Sequence, residues 1–106
     1  MPILEVNFKL NVSTAEYQEI CNAIAQPIAE VPGLIWKVWL LNEEEKEAGG
    51  VYLFMDDPSL DEFLAGPIAT EIRNHSALSD LVVKRFEVMG EVTDTTRGPI
   101  PMMVAA

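Results

Sequence analysis

Residues 34–54 read LIWKVWLLNEEEKEAGGVYLF, and how this stretch folds decides the architecture of the chain. Leu34 to Leu41 and Val51 to Met55 are short runs rich in β-branched and aromatic residues, a composition suited to a pleated, half-buried surface. Between them Asn42 to Gly50, NEEEKEAGG, carries an acidic run and a glycine pair and reads as the connecting loop. The two runs are therefore expected to form a β-hairpin.

Upstream, Ile3 to Asn11 alternates Leu4, Val6, Phe8 and Leu10 with Glu5, Asn7 and Lys9, the period of a strand with one apolar face. Ser13 and Glu16 have the spacing of a capping box, and Val12 with Tyr17 supplies a hydrophobic staple, so a helix is expected from Thr14. Its apolar face is Tyr17, Ile20, Cys21, Ile24 and Ile28. Pro27 lacks an N–H and clashes with the preceding turn, so it is expected to kink the helix or end its first part, before Val31 to Gly33 (VPG) stops it. Downstream, a second helix starts either with Asp57 as cap and Pro58 in its first turn, or with Ser59 as cap and Glu62 as box partner. Leu60, Phe63, Leu64, Ile68 and Ile72 give it an apolar stripe, interrupted by Gly66 and Pro67 and running out by Asn74. Leu81 to Met89 supplies a fourth strand.

The order β-α-β-β-α-β is the split βαβ, ferredoxin-like motif, an α+β fold with both helices on one face of a four-stranded antiparallel sheet. The second strand is apolar on both sides: unbroken alternation puts Leu34, Trp36, Val38 and Leu40 on one face and Ile35, Trp39 and Leu41 on the other. A sheet with one wet face alternates more cleanly, so the bare face is expected to be covered by another copy, giving a homodimer packed sheet to sheet. Parity with Lys37 assigns Trp39 to the dimer side, with Arg85 as a further interface residue, and Trp36 to the helix side. Residues 1–90 form the domain. Residues 91–106, EVTDTTRGPIPMMVAA, are either a frayed terminus or an arm whose Ile100, Met102, Met103 and Val104 lie across the partner.

At 106 residues the chain suffices for one core, and its 49% apolar and 23% charged composition is that of a globular domain. A net charge of −10 repels nucleic-acid phosphates and anionic membranes. No apolar run approaches the roughly 20 residues of a membrane span, and MPILEV lacks the features of a signal peptide, so a cytoplasmic location is the default expectation. The single cysteine, Cys21, and single histidine, His75, offer neither an internal disulfide nor a zinc site.

No P-loop, dinucleotide fingerprint or nucleophile elbow is present. The candidate site is instead a constellation: Trp36, Tyr52 and Phe54 as walls contacting a substrate, with His75 as a base and Asn7 as a hydrogen-bond donor. Helices interrupted by Pro27 and by Gly66–Pro67 cover a sheet unevenly, and the gap can hold a flat apolar ligand. Each residue also has a structural reading: core packing for the aromatics, capping of the last helical carbonyls for His75, a dimer contact for Asn7, and a charge network between two sheets for Lys37, Arg85, Glu5 and Glu87. Glu43 to Glu47 is a solvated loop without a calcium cage.

VPGLIWKVW (residues 31–39) followed by EAGGVYLF (residues 47–54) resembles the YdhR-type putative mono-oxygenases of the dimeric α/β-barrel group, and the resemblance extends from the first strand to about Met89. It implies a ferredoxin-like protomer that pairs its sheet with a second copy. It also implies oxygenation of small aromatic compounds, by analogy with cofactor-independent mono-oxygenases of polyketide quinone synthesis. In that chemistry a phenol or quinol is deprotonated and its anion reduces dioxygen, a scheme that requires no metal or flavin. Two other readings remain: a dimeric ligand-binding or stress-related module without catalysis, and a haem-binding or haem-degrading protein using Asn7, the tryptophans and His75.

Overall fold

The structure is a computed structural model and describes residues 1–101. β1 (Pro2–Leu10) is buried at every second residue, as its alternation dictates. It pairs antiparallel with β3 (Glu47–Phe54) on one side and β4 (Leu78–Glu87) on the other, while β2 (Leu34–Asn42) flanks β3. The sheet order β2-β3-β1-β4, with all neighbours antiparallel, is the ferredoxin-like arrangement. The glycine pair belongs to β3, because Ala48, Gly49 and Gly50 pair with β1; the hairpin loop is confined to residues 43–46, where Lys46 takes a left-handed conformation.

α1 (Thr14–Ala29) begins as expected, with the Ser13 hydroxyl accepting from the Glu16 N–H at 3.1 Å. Pro27 does not stop it. The helix runs two residues further, which is tolerable because the proline falls in the last turn. The second helix is capped earlier than either expected start, one residue before Asp57 and three before Ser59: the Asp56 carboxylate accepts from the Ser59 N–H at 2.9 Å, ahead of α2 (Asp57–Ala65). Gly66 is extended, and Pro67 opens a separate helix, α3 (Pro67–Asn74). Arg73 of α3 donates to the Leu64 carbonyl at 3.1 Å and fixes the bend between α2 and α3. A short α4 (Gly90–Thr95), not foreseen from the sequence, follows the sheet.

The core lies between the helices and the sheet. Leu4, Tyr52, Phe54, Leu60 and Ile28 are each at most 2% exposed, and Phe63 packs its ring against Tyr52 and Phe54 at 5.2 and 5.6 Å. Burying one such side chain stabilises the fold by about 1.5–3 kcal/mol.

A bulge in β2 corrects the expected facing of its side chains. Leu34 pairs with Phe54, but Trp36 pairs with Leu53, so Ile35 is an extra residue that shifts everything after it by one place. Lys37 and Trp39, opposite Tyr52 and Gly50, therefore project toward the helices. Trp36, Val38 and Leu40 project to the open face, the reverse of what unbroken alternation predicts. Arg85, opposite Leu4, is also on the helix side, where it pairs with Asp61 at 2.8 Å and Asp57 at 3.5 Å. Lys37, Trp39 and Arg85 thus do not lie on the bare face, and the charge network of Lys37, Arg85, Glu5 and Glu87 does not assemble: Glu5 is on the open side, and Glu87 sits 3.7 Å from the Met1 ammonium. A second bulge, in β4, occurs where Asp80 takes a positive φ of 54°.

Trp36 has another partner. Its Nε1–H donates to the Pro99 carbonyl at 2.8 Å, holding the C-terminal segment against the open side of the sheet. Met102, Met103 and Val104, expected in a dimer arm, lie outside the described residues.

Candidate functional site

Between the helical layer and the sheet lies a cavity of about 270 Å³. Tyr17, Ile20, Ile24 and Pro27 of α1 form one side, Ile68, Glu71 and Ile72 of α3 another, and Val6, Phe8, Lys37, Trp39, Gly50 and Tyr52 form the floor. His75, just past α3, closes one end with Leu78. The volume is near the lower limit of small-molecule sites, about 300–1,000 Å³, and suits one small ring system.

The sequence accounts for the hollow. α1 buries its stripe only at the ends, at Tyr17 and Ile28; Ile20, Cys21 and Ile24 between them are half-buried because they look onto open space. On the floor, a Cβ at Gly49 would run into the backbone carbonyl of Val6, and one at Gly50 would lie 2.6 Å from Lys37 Cε. Both glycines are required by space rather than by φ. Read as loop residues in the sequence, they are the floor of the cavity.

Lys37 is the cation of the site. Its Nζ stands 3.4 Å from the centroid of Trp39 and 4.6 Å from that of Tyr52, so both π faces are turned toward it. Burial pushes its ammonium down to about 8. Burial likewise raises the phenols of Tyr17 and Tyr52 well above their ordinary range, so they serve as neutral walls and hydroxyl groups, not as bases.

His75 has one of its two ring nitrogens engaged by the backbone. Its Nδ1 accepts from the Ala77 N–H at 3.1 Å, so the neutral ring carries its proton on Nε2 and offers a donor.

The structure brings His75 and Tyr52 together at the cavity, with Lys37 and Trp39, which were expected on the dimer side. It does not bring in the other candidates. Phe54 lies one layer deeper, stacked on Tyr52 at 6.2 Å, and supports the wall without lining the cavity. Trp36 is on the opposite face because of the bulge. Asn7 is there too, donating to Glu5 at 3.0 Å, since the odd residues of β1 all point away from the helices. Tyr17, the glycine pair and α3 were missed as site elements; the capping box fixed the phase of Tyr17, but nothing local ties it to Lys37.

Among the described residues no cluster of His, Cys, Asp or Glu has the geometry of a metal site, and no helix is long and apolar enough to cross a membrane.

A four-stranded antiparallel sheet covered on one face by helices, with an apolar cavity between the layers, is an α+β, ferredoxin-like protomer. Residues 3–99 match the family described as putative mono-oxygenase ydhR, and the chain belongs to that family. No curated protein sequence matches it significantly. Among solved structures it is similar to SnoaB, a cofactor-independent oxygenase from Streptomyces nogalater, at 22% identity and a TM-score of 0.65, over 82% of this chain and 92% of that one. A putative antibiotic biosynthesis monooxygenase from Deinococcus radiodurans aligns at 16% identity and a TM-score of 0.68, over 83% and 92%. The haem degrader MhuD of Mycobacterium tuberculosis aligns at 18% identity and a TM-score of 0.64, over 82% and 95%. At these identities the structural neighbours establish the shared fold.

Proposed function

We propose that the protein is a cofactor-independent mono-oxygenase that oxidises a small phenol- or quinol-like aromatic with dioxygen in the cavity between helices and sheet. The observation that carries this reading is the enclosed apolar space walled by Trp39, Tyr52 and Tyr17 with only a few polar groups converging on it, Lys37 and His75 foremost. Family membership and the likeness to SnoaB support it. In the overall reaction a phenol and dioxygen give a quinone and water; the substrate supplies all the electrons, one oxygen atom enters the ring and the other leaves as water. The protein contributes exclusion of water, alignment of the ring between aromatic walls, and stabilisation of the electron-rich form of the substrate.

The active form we infer is a homodimer joined through the open faces. Support comes from the apolar patch on that face, where Val38, Val82 and Phe86 keep 47–50% of their surface alongside Leu40 at 37%. An apolar area of this kind is uncommon on a protein that remains alone in solution. Sedimentation velocity at several concentrations measures it, and a single monomeric species throughout removes the dimer.

Oxygen uptake by metal-free protein with a panel of phenols and naphthols tests the activity, with the quinone detected by absorbance. No uptake above buffer for any member, alongside tight binding of the same compounds, transfers the site to the second reading, a ligand-binding module. The haem reading draws on MhuD as a structural neighbour. Its residue set does not converge here, because Asn7 and Trp36 face away from the cavity that His75 and Trp39 share.

A further inference from the structure

We propose that the ligand of this cavity is an aromatic anion, a ring bearing a carboxylate or an ionised hydroxyl, with the Lys37 ammonium as its counter-ion. The inference rests on the aromatic-pocket reading above and narrows its substrate class.

Three observations lead to it. First, Lys37 has no carboxylate within 4.0 Å among the described residues; the ion pairs of the chain involve Met1, Lys9 and Arg85 instead. A half-buried cation without a counter-charge is costly, and the protein meets only part of that cost with the π faces of Trp39 and Tyr52. Second, the neighbouring strand is cut back to let the lysine stem lie there, because a side chain at Gly50 would meet Cε. Third, the remaining titratable groups around it do not neutralise it. Tyr17 and Tyr52 are phenols held neutral by burial, the half-buried Cys21 on α1 favours the ammonium but offsets burial only in part, His75 has Nδ1 occupied by Ala77, and Glu71 of α3 lines the cavity from an exposed position outside ion-pair distance. An anionic ring that stacks between the aromatic walls would fill the apolar space and complete the charge pair. It would also hold Lys37 in its protonated form, reversing the effect of burial.

The test compares 2-naphthoate with 2-naphthamide, two ligands of nearly identical shape that differ in charge, by calorimetry and by quenching of tryptophan fluorescence. At neutral pH the acid is expected to bind about tenfold or more tightly than the amide, the worth of one charge-assisted contact. Lys37→Met is expected to bring the two together by weakening the acid while sparing the amide. In the unmodified protein the preference fades as pH rises through about 8 and the ammonium is lost, whereas Lys37→Arg keeps it. A nitrophenol, whose ionisation is visible by absorbance, separates the two sources of charge: a bound phenol ionising at lower pH than the free one identifies the ionised hydroxyl, and tight naphthoate binding without that shift identifies the carboxylate. Equal binding of acid and amide overturns the anion proposal and leaves the aromatic pocket standing. A preference that survives both Lys37→Met and high pH removes Lys37 from it, and failure of both naphthalenes to bind overturns the pocket as well.

Discussion

On the helix side of the sheet, Leu4, Tyr52 and Phe54 are at most 2% exposed; on the other side Val38, Val82 and Phe86 keep 47–50% of their surface. Both faces are apolar, yet among the described residues only the first is covered. The finished face is also the one with the hollow, at Gly49 and Gly50, and with the half-buried cation. The unfinished face carries Asn7, Trp36 and the strap from Pro99. The contrast teaches that the cavity is walled without a second copy, so the binding and the assembly proposed above are separable by mutation.

The largest expected effect is on the finished face. Phe54→Ala removes a fully buried ring between Tyr52 and Phe63 and should cost about 3–5 kcal/mol in urea unfolding. Phe86→Ala, on the open face, should cost under about 1 kcal/mol in the isolated chain. A comparable loss at both positions, measured at high protein dilution, would break the contrast.

Next in size is the charge inside the cavity. Lys37 has a lower pKa in the folded chain than in the unfolded chain, so between about 8 and 10.5 the unfolded state binds more protons and stability rises with pH. The contribution is therefore fully recovered above 10.5 and lost as pH falls through 8. Replacing the lysine by methionine should stabilise the empty protein by on the order of 2 kcal/mol near neutrality, and the difference between the two proteins should shrink toward pH 10.5. Taking the difference cancels the opposite trend of Tyr17 and Tyr52, whose raised pKa values favour unfolding at high pH. A methionine variant less stable than the parent at neutral pH would mean that the cation is better compensated than its surroundings indicate.

A smaller effect is expected from Trp36→Phe, which keeps the ring but loses the bond to the Pro99 carbonyl and so weakens the docking of the C-terminal segment alone, by about 1 kcal/mol. Faster proteolysis after residue 90 with an unchanged thermal midpoint would be its signature. The smallest effect on the protomer is expected from Val38→Lys combined with Phe86→Lys. The circular dichroism spectrum and cavity binding should be retained while sedimentation shifts to the monomer, and loss of cavity binding in that variant would tie the two faces together after all.

Much of the fold was legible because its signals are local. The alternation of β1, the Ser13 box and the interruption at Gly66–Pro67 each act within a few residues and needed no partner to be read. The glycine pair was misread because a glycine required by a neighbouring strand looks the same in sequence as one required by a turn. The site was only partly legible. The sequence pattern points to His75 and Tyr52, which line the cavity, but also to Trp36 and Asn7, which do not reach it, and it directs Lys37 and Trp39 to the other face. The assumption behind that error was that a lysine avoids the covered side of a sheet. A long apolar stem and two aromatic faces make the covered side tolerable, and that depends on cross-strand register, which pairwise spacing does not reveal.

The extra residue at Ile35 gives β2 something like a reading frame. Everything downstream of it on the strand is interpreted by the fold one place out of step with everything upstream. Pairing the same letters without the bulge, with Ile35 opposite Leu53, would leave WKVW intact while exchanging their meanings: Trp36 would turn toward the cavity, and Lys37 and Trp39 would face outward. Two chains sharing those letters are therefore comparable at this site only if their tryptophans and lysine keep the same cross-strand partners, whatever the count of residues before them.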